Sequence, residues 1–154
     1  MLPLHVEGID STHGENRAMI FREMTQQDVE FMKDNSVSRG ILKRQPEQME
    51  FTYALEHEGT LLGIGGIRMI NLTTAWCWVD MTSIAGEHII IVYRVIKEWM
   101  EKLVEEKGLK RLQAYIELDF PEAIRMAQHL GFEKESILEG FLPNGDALLY
   151  KRIF

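Results

Sequence analysis

The chain has 154 residues, 45% of them hydrophobic and 27% charged, with a formal net charge of −7 and a single cysteine. That length fits one domain with a sizeable core. The acidic balance, with no basic run, disfavours a nucleic-acid partner. Cys77 alone allows neither an intrachain disulfide nor a cysteine zinc cluster, and no metal is expected. The N-terminus lacks the basic start and apolar stretch of a signal peptide, and no apolar run nears the roughly 20 residues of a membrane span. The expectation is a cytoplasmic protein with no membrane partner.

Residues 1–16 are polar and carry Pro3, Gly8 and Gly14 without periodicity, so they read as a loose leader, with residues 17–154 as a single domain. "RAMIFREM" reads as a first strand and "TQQDVEFMKDN" as a helix that Thr25 caps, with Asp28 at its third position. "VSRGILKRQPEQME" reads as a second helical region broken at Gly40 and Pro46.

"FTYALEHEGTLLGIGGIRMI" reads as two strands joined around "HEGT", the second weakened by glycines. The glycine cluster Gly63–Gly66 has no helix after it, so a bulged strand is expected and not a phosphate loop. "TTAWCWVDMTS" alternates, with Trp76, Trp78, Asp80 and Thr82 on one face and Ala75, Cys77, Val79 and Met81 on the other. From His88 the period changes. Val92, Val95, Ile96, Trp99, Met100 and Leu103 recur at helical spacing until Gly108.

"KRLQAYIELD" reads as a strand, and Pro121 opens a short helix that Gly131 closes. Two final strands flank "LPNGD", where Asn144-Gly145 predicts a type I′ turn because both its central residues need positive φ. The expected order is β-α-α-β-β-β-α-β-α-β-β. This is an α/β protein with a central mixed sheet and helices on both faces.

That order, with "AIRMAQHLGF" ahead of a terminal hairpin, resembles the GNAT superfamily of N-acyltransferases from about Arg17 to Phe154. Ala123-Ile124-Arg125-Met126 through Leu130-Gly131-Phe132 is similar to the family's "A-I-x-L-Y-x-x-x-G-F" signature. The ending "EGFLPNGDALLYKRI" resembles members carried by tailed phages, which would place the protein in a host cytoplasm or a virion.

The resemblance implies a mostly antiparallel sheet with one splayed parallel strand pair, the strand ending near Thr82 and the strand of Leu112 to Leu118. Acetyl-CoA would lie there as co-substrate. Its pantetheine arm would pair with the backbone of the first strand, and its pyrophosphate would meet amides at the start of the next helix. The implied cofactor-binding residues are Met81, Thr82, Ser83, Ala85, Gly86, Glu87 and His88, with Asp119 at the head of the later helix.

The sequence departs from the family pattern at three points. Ser83-Ile84-Ala85-Gly86-Glu87-His88 keeps only the first glycine of Q/R-x-x-G-x-G/A, and Glu87 brings negative charge toward phosphate. Two like charges 4 Å apart repel by roughly 4 kcal/mol at an effective dielectric of ~20. Asp119 and Phe120 stand at the helix-leading asparagine, and Ala127 replaces the tyrosine that protonates the leaving thiolate.

Acyl transfer to an amine requires a proton acceptor, a polarised thioester carbonyl and a protonated leaving sulfur. Asp80, at the end of its strand, is the first candidate base, directly or through a water; the competing reading is a solvated sheet residue or a partner for a lysine. Tyr115 and Glu117 share one face of the neighbouring strand. Either can line the acceptor site, and Tyr115 can replace the missing tyrosine acid or simply cover the sheet. His88 reads as a phosphate donor, a base or a surface histidine. Trp76 and Trp78 read as packed aromatics, or else as an acceptor platform.

The implied activity is acetyl transfer to a primary amine on a small molecule or peptide, by direct attack. The competing reading is a catalytically inactive interaction or virion-associated protein of the same fold that no longer binds CoA. The sequence leaves oligomeric state open.

Overall fold

The computed structural model describes residues 4–6, 19–37 and 51–154. Two compact units make up the chain, Met1–Arg68 with Trp78–Val92, and Met69–Cys77 with Tyr93–Phe154. The region from 38 to 50, within the second helical stretch read from sequence, lies outside the described residues. So do 1–3 and 7–16 of the stretch read as a leader, while Leu4–Val6 forms a short strand, β1.

In the first unit β1 pairs antiparallel with β2 (Met19–Glu23), β2 with β3 (Thr52–His57), and β3 with β4 (Thr60–Asn71). The order there is β1-β2-β3-β4-β5, where β5 is Thr74–Met81. Helix α1 (Gln26–Asn35) follows β2. Its start is the capping box the sequence predicts: Thr25 N–H donates to Asp28 Oδ2 at 2.8 Å, and the Thr25 hydroxyl oxygen accepts from Asp28 N–H at 3.4 Å.

Asp28 is buried and grips Arg22 through two contacts of 2.7 and 2.8 Å, while Arg22 also reaches Glu56. Burial alone would raise the Asp28 pKa, but the Arg22 guanidinium and the Thr25 donors outweigh it and hold the carboxyl below its ordinary value. Beneath this network Met32, Ala54, Leu61 and Ile64 form a buried cluster, with Met24 and Trp78 packed on it. Burial of Met32, Leu61 and Ile64 contributes about 1.5–3 kcal/mol each.

In the second unit the first half of β5 runs parallel to β6 (Arg111–Glu117), with Thr74 opposite Arg111 and Trp76 opposite Gln113. Strand β8 (Gly145–Ile153) pairs antiparallel with β6 and with β7 (Glu133–Leu142), giving the order β5-β6-β8-β7. Helix α2 spans Ile89–Lys107 and α3 spans Pro121–His129. On α2, Val95, Ile96, Trp99, Met100 and Leu103 are buried, while Arg94, Lys97, Glu98, Glu101 and Lys102 are exposed. The helical period therefore sorts core from surface as the sequence predicts. Gly108, at φ 65°, ends α2, and Leu109 N–H closes back on Val104 O at 2.9 Å.

The terminal hairpin differs from the sequence reading in its turn. Leu142 pairs with Gly145, so the central residues are Pro143 and Asn144 and not Asn144-Gly145. A proline ring holds φ near −65°, which rules out the positive φ of a type I′ turn at that place. The type I′ signature occurs instead at "HEGT", where His57 pairs with Thr60 and both Glu58 (φ 52°) and Gly59 (φ 76°) are left-handed.

Candidate active site at the end of β5

The last residues of β5 and the turn after it belong to the first unit. Asp80 sits there with 2% of its surface exposed, so it is no solvated strand residue. The Ser36 hydroxyl donates to Asp80 Oδ1 at 2.5 Å. Burial pushes the Asp80 carboxyl up to about 6, against the pull of the Ser36 hydroxyl and the Met81 N–H. A carboxyl at that value is ionised at neutral pH yet basic enough to accept a proton, the balance that general base catalysis needs.

Two neighbours set the position of Asp80. Gly63 on β4 lies against it, and a β-carbon there would stand 2.6 Å from the Asp80 carbonyl oxygen. The glycines of "GIGG" thus serve close approach of backbone: Gly65 meets the Trp78 carbonyl in the same way, and Gly66 the Phe51 carbonyl. On the other flank, Ser36 ends α1 with its N–H on Met32 O at 3.0 Å, forms a bridge with Thr82, and is followed by Val37, whose N–H donates to Met81 O at 2.9 Å. Sequence reading missed Ser36. Its only signal was its place directly after a helix.

After β5, Ser83–His88 forms a 3-10 helix that runs into α2. The residues read as cofactor-binding divide here. Thr82 and Ala85 are buried, and Thr82 spends its hydroxyl on Leu61 and Leu62 carbonyls and its N–H on Leu62 O. Ala85 N–H closes on Thr82 O at 3.2 Å, so this pair builds the turn. Ser83, Gly86 and Glu87 are exposed. A β-carbon on Gly86 would meet nothing within 4 Å, so packing does not require glycine there and the backbone is open to approach. An exposed turn with an open glycine at the start of a helix leaves room for a phosphate group, whereas the Glu87 carboxylate opposes one.

His88 is half-buried, with its ring 4.9 Å from that of His57 in an edge-on contact. The His57 Nδ1 is buried without a hydrogen-bond partner. Trp78 packs on the Met32 cluster, which makes it a core aromatic. Cys77 is chemically quiet, because burial pushes its thiol up to about 12.

Tyr115, Glu117 and Asp119 belong to the second unit. Tyr115 and Glu117 are half-buried on β6, and Asp119 is exposed ahead of α3. The Tyr115 ring meets Trp76 edge-on at 5.9 Å and Phe141 at 4.8 Å, and Phe141 also stacks on Trp76 at 6.4 Å. Trp76 is therefore part of an aromatic trio with its outer member, Phe141, exposed. Ala127, at the family's tyrosine position, is buried and offers no acid. Among the described residues no three histidine, cysteine, aspartate or glutamate side chains could hold a metal, and no helix is long and apolar enough to cross a membrane.

No family model matches the chain, and no curated protein matches it. Solved structures do. A chimera of the spermidine N-acetyltransferase from Vibrio cholerae is 14% identical with a TM-score of 0.69, covering 88% of this chain and 95% of that one. Ard1 from Thermoplasma volcanium is 18% identical at a TM-score of 0.73, covering 88% and 97%. A GNAT family acetyltransferase from Elizabethkingia anophelis, solved with acetyl-CoA bound, is 12% identical at a TM-score of 0.70, covering 88% and 98%. At such identities the likeness is one of fold. The chain has the fold of the GNAT N-acetyltransferases, as the "AIRMAQHLGF" signature implied.

Proposed function

We propose that the protein is an N-acyltransferase that uses acetyl-CoA as co-substrate and a primary amine, on a small molecule or a peptide, as acceptor. The observation that carries this reading is Asp80, a buried carboxyl raised to about 6, placed immediately before an exposed turn that opens a long helix. Acetyl-CoA supplies the acyl group as a thioester. Asp80 takes the proton that the attacking amine must lose, directly or through one water. The exposed turn of Ser83, Gly86 and Glu87 receives phosphate at the helix start, while Met81, Thr82 and Ala85 shape the turn. His88, held against His57, borders it. Among the candidates on the second unit, Tyr115 is the one able to supply an acid in place of the tyrosine that Ala127 replaces, with Glu117 beside it on β6 and Asp119 ahead of α3.

One observation favours the second reading, a GNAT-fold interaction protein without chemistry: the Met81 carbonyl, which would pair with a pantetheine arm, already accepts from Val37 N–H. Calorimetric titration with acetyl-CoA and CoA, followed by acetylation assays on a polyamine and a peptide amine, separates the two. Micromolar binding, about −8 kcal/mol, with turnover that Asp80→Ala abolishes, supports the enzyme. No binding and no turnover leave the interaction protein.

A further inference from the structure

Ser36 and Asp80 lie 44 residues apart in the chain, and the fold brings hydroxyl and carboxylate together at 2.5 Å. The serine is held independently of this contact. Its N–H closes α1 on Met32 O, it bridges Thr82, and Val37 N–H ties the following peptide to Met81 O. The hydroxyl is thus presented to Asp80 by backbone fixed on both sides.

We propose that Ser36 is a positioning residue for Asp80, its hydroxyl holding the carboxylate in the charged form that proton transfer from the acceptor needs. The inference rests on the reading of Asp80 as the base. A carboxylate 2% exposed has lost nearly all its water and, uncompensated, takes up a proton and stops being a base. The serine hydroxyl replaces one of the lost hydrogen bonds, and the Met81 N–H another. A neutral donor suits the task. A lysine or arginine in its place would hold the carboxylate ionised far more firmly and leave it a poorer proton acceptor.

Among the described residues, the elements around Asp80 bring it no charge. β4 presents Gly63, the segment after α1 presents Ser36, and the turn follows with Thr82. The titratable residues on these elements and beside them, Asp28, Glu30, Lys33 and Asp34 on α1, Arg68 on β4, His57 at the end of β3, and Glu87 and His88 on the turn, do not contribute to the shift of the Asp80 carboxyl.

The test follows the Asp80 carboxyl carbon by NMR from about pH 4 to about pH 9 in the unsubstituted protein, Ser36→Ala and Ser36→Thr. The pH profile of kcat/KM for acetylation is measured beside it. Ser36→Ala is expected to raise the Asp80 midpoint and the acidic limb of kcat/KM together, by about one pH unit. At about pH 6 that lowers kcat/KM by about fivefold, with little difference at about pH 9. Ser36→Thr, which keeps the hydroxyl, restores both, and an amide spectrum checks that each variant is folded. With an active parent protein, an unmoved Asp80 midpoint, or a loss equal at every pH, overturns the inference. A parent that acetylates no amine overturns the transfer reading itself, and the Asp80 midpoint in Ser36→Ala then reports the serine contact separately from catalysis.

Discussion

Gly63 lies so close to Asp80 that a β-carbon on it would stand 2.6 Å from the Asp80 carbonyl oxygen, a distance that side chains do not tolerate against backbone. Gly63→Ala must therefore push β4 and the end of β5 apart. The expected cost is about 1–3 kcal/mol of stability, read as a lower Tm, with loss of any activity that depends on Asp80. Gly86 offers the contrast, since its β-carbon would meet nothing and its φ is not left-handed. Gly86→Ala is expected to leave Tm unchanged or slightly raised, while weakening acetyl-CoA binding in calorimetry if the turn holds phosphate. Equal Tm losses in the two variants would remove this distinction.

Burying Asp80 costs the folded protein stability at neutral pH. Its carboxyl is raised from 3.8 to about 6 by burial, so the folded state binds a proton more tightly than the unfolded state. The stability it contributes is complete below about pH 4 and is lost as pH rises through about 6. Asp80→Asn keeps an acceptor for the Ser36 hydroxyl and cannot ionise. It is expected to be more stable than the parent at about pH 8, by up to about 3 kcal/mol, with the difference gone near pH 4. Urea melts at the two pH values check this, and a variant less stable at both would refute it.

Asp28 behaves in the opposite sense. Arg22 and the Thr25 donors hold its carboxyl below its ordinary value of 3.8 despite burial. Its contribution is present above that value and is lost as pH falls through the lower, folded one. Asp28→Asn leaves Arg22 without its bidentate charged partner and gives the Thr25 N–H a weaker, neutral acceptor, for an expected loss of about 2–3 kcal/mol at neutral pH. The gap to the parent should close in acid, as thermal melts at descending pH would report.

Glu58 occupies a left-handed position, φ 52°, at the tip of the β3–β4 hairpin. Asn is favoured in that place ahead of a glycine. Glu58→Asn is therefore expected to raise stability by about 0.5–1 kcal/mol. An unchanged or lower urea midpoint would mean that the contacts of the Glu58 side chain outweigh its backbone strain.

The sequence by itself determined the elements whose cause is local. The Thr25–Asp28 box is three residues long and needs nothing from the rest of the chain. The apolar period of α2 selects one buried face wherever that helix packs, and Gly108 ends it because only glycine takes the left-handed φ cheaply. The "AIRMAQHLGF" stretch pointed to the fold by its resemblance to the family signature, and its local content is a helix body and a glycine stop at Gly131. Local signals mislead at the second hairpin, where Asn144-Gly145 points to a type I′ turn and the fixed φ of Pro143 moves the turn by one residue. The tertiary structure alone decided the surroundings of Asp80. Whether Asp80 is a solvated strand residue or a buried carboxyl raised to about 6 depends on what covers it, and Ser36 covers it from 44 residues away. The glycines beside it are explained by carbonyls on another strand. Burial and long-range hydrogen bonds set a group's proton affinity, and no spacing in the chain encodes them.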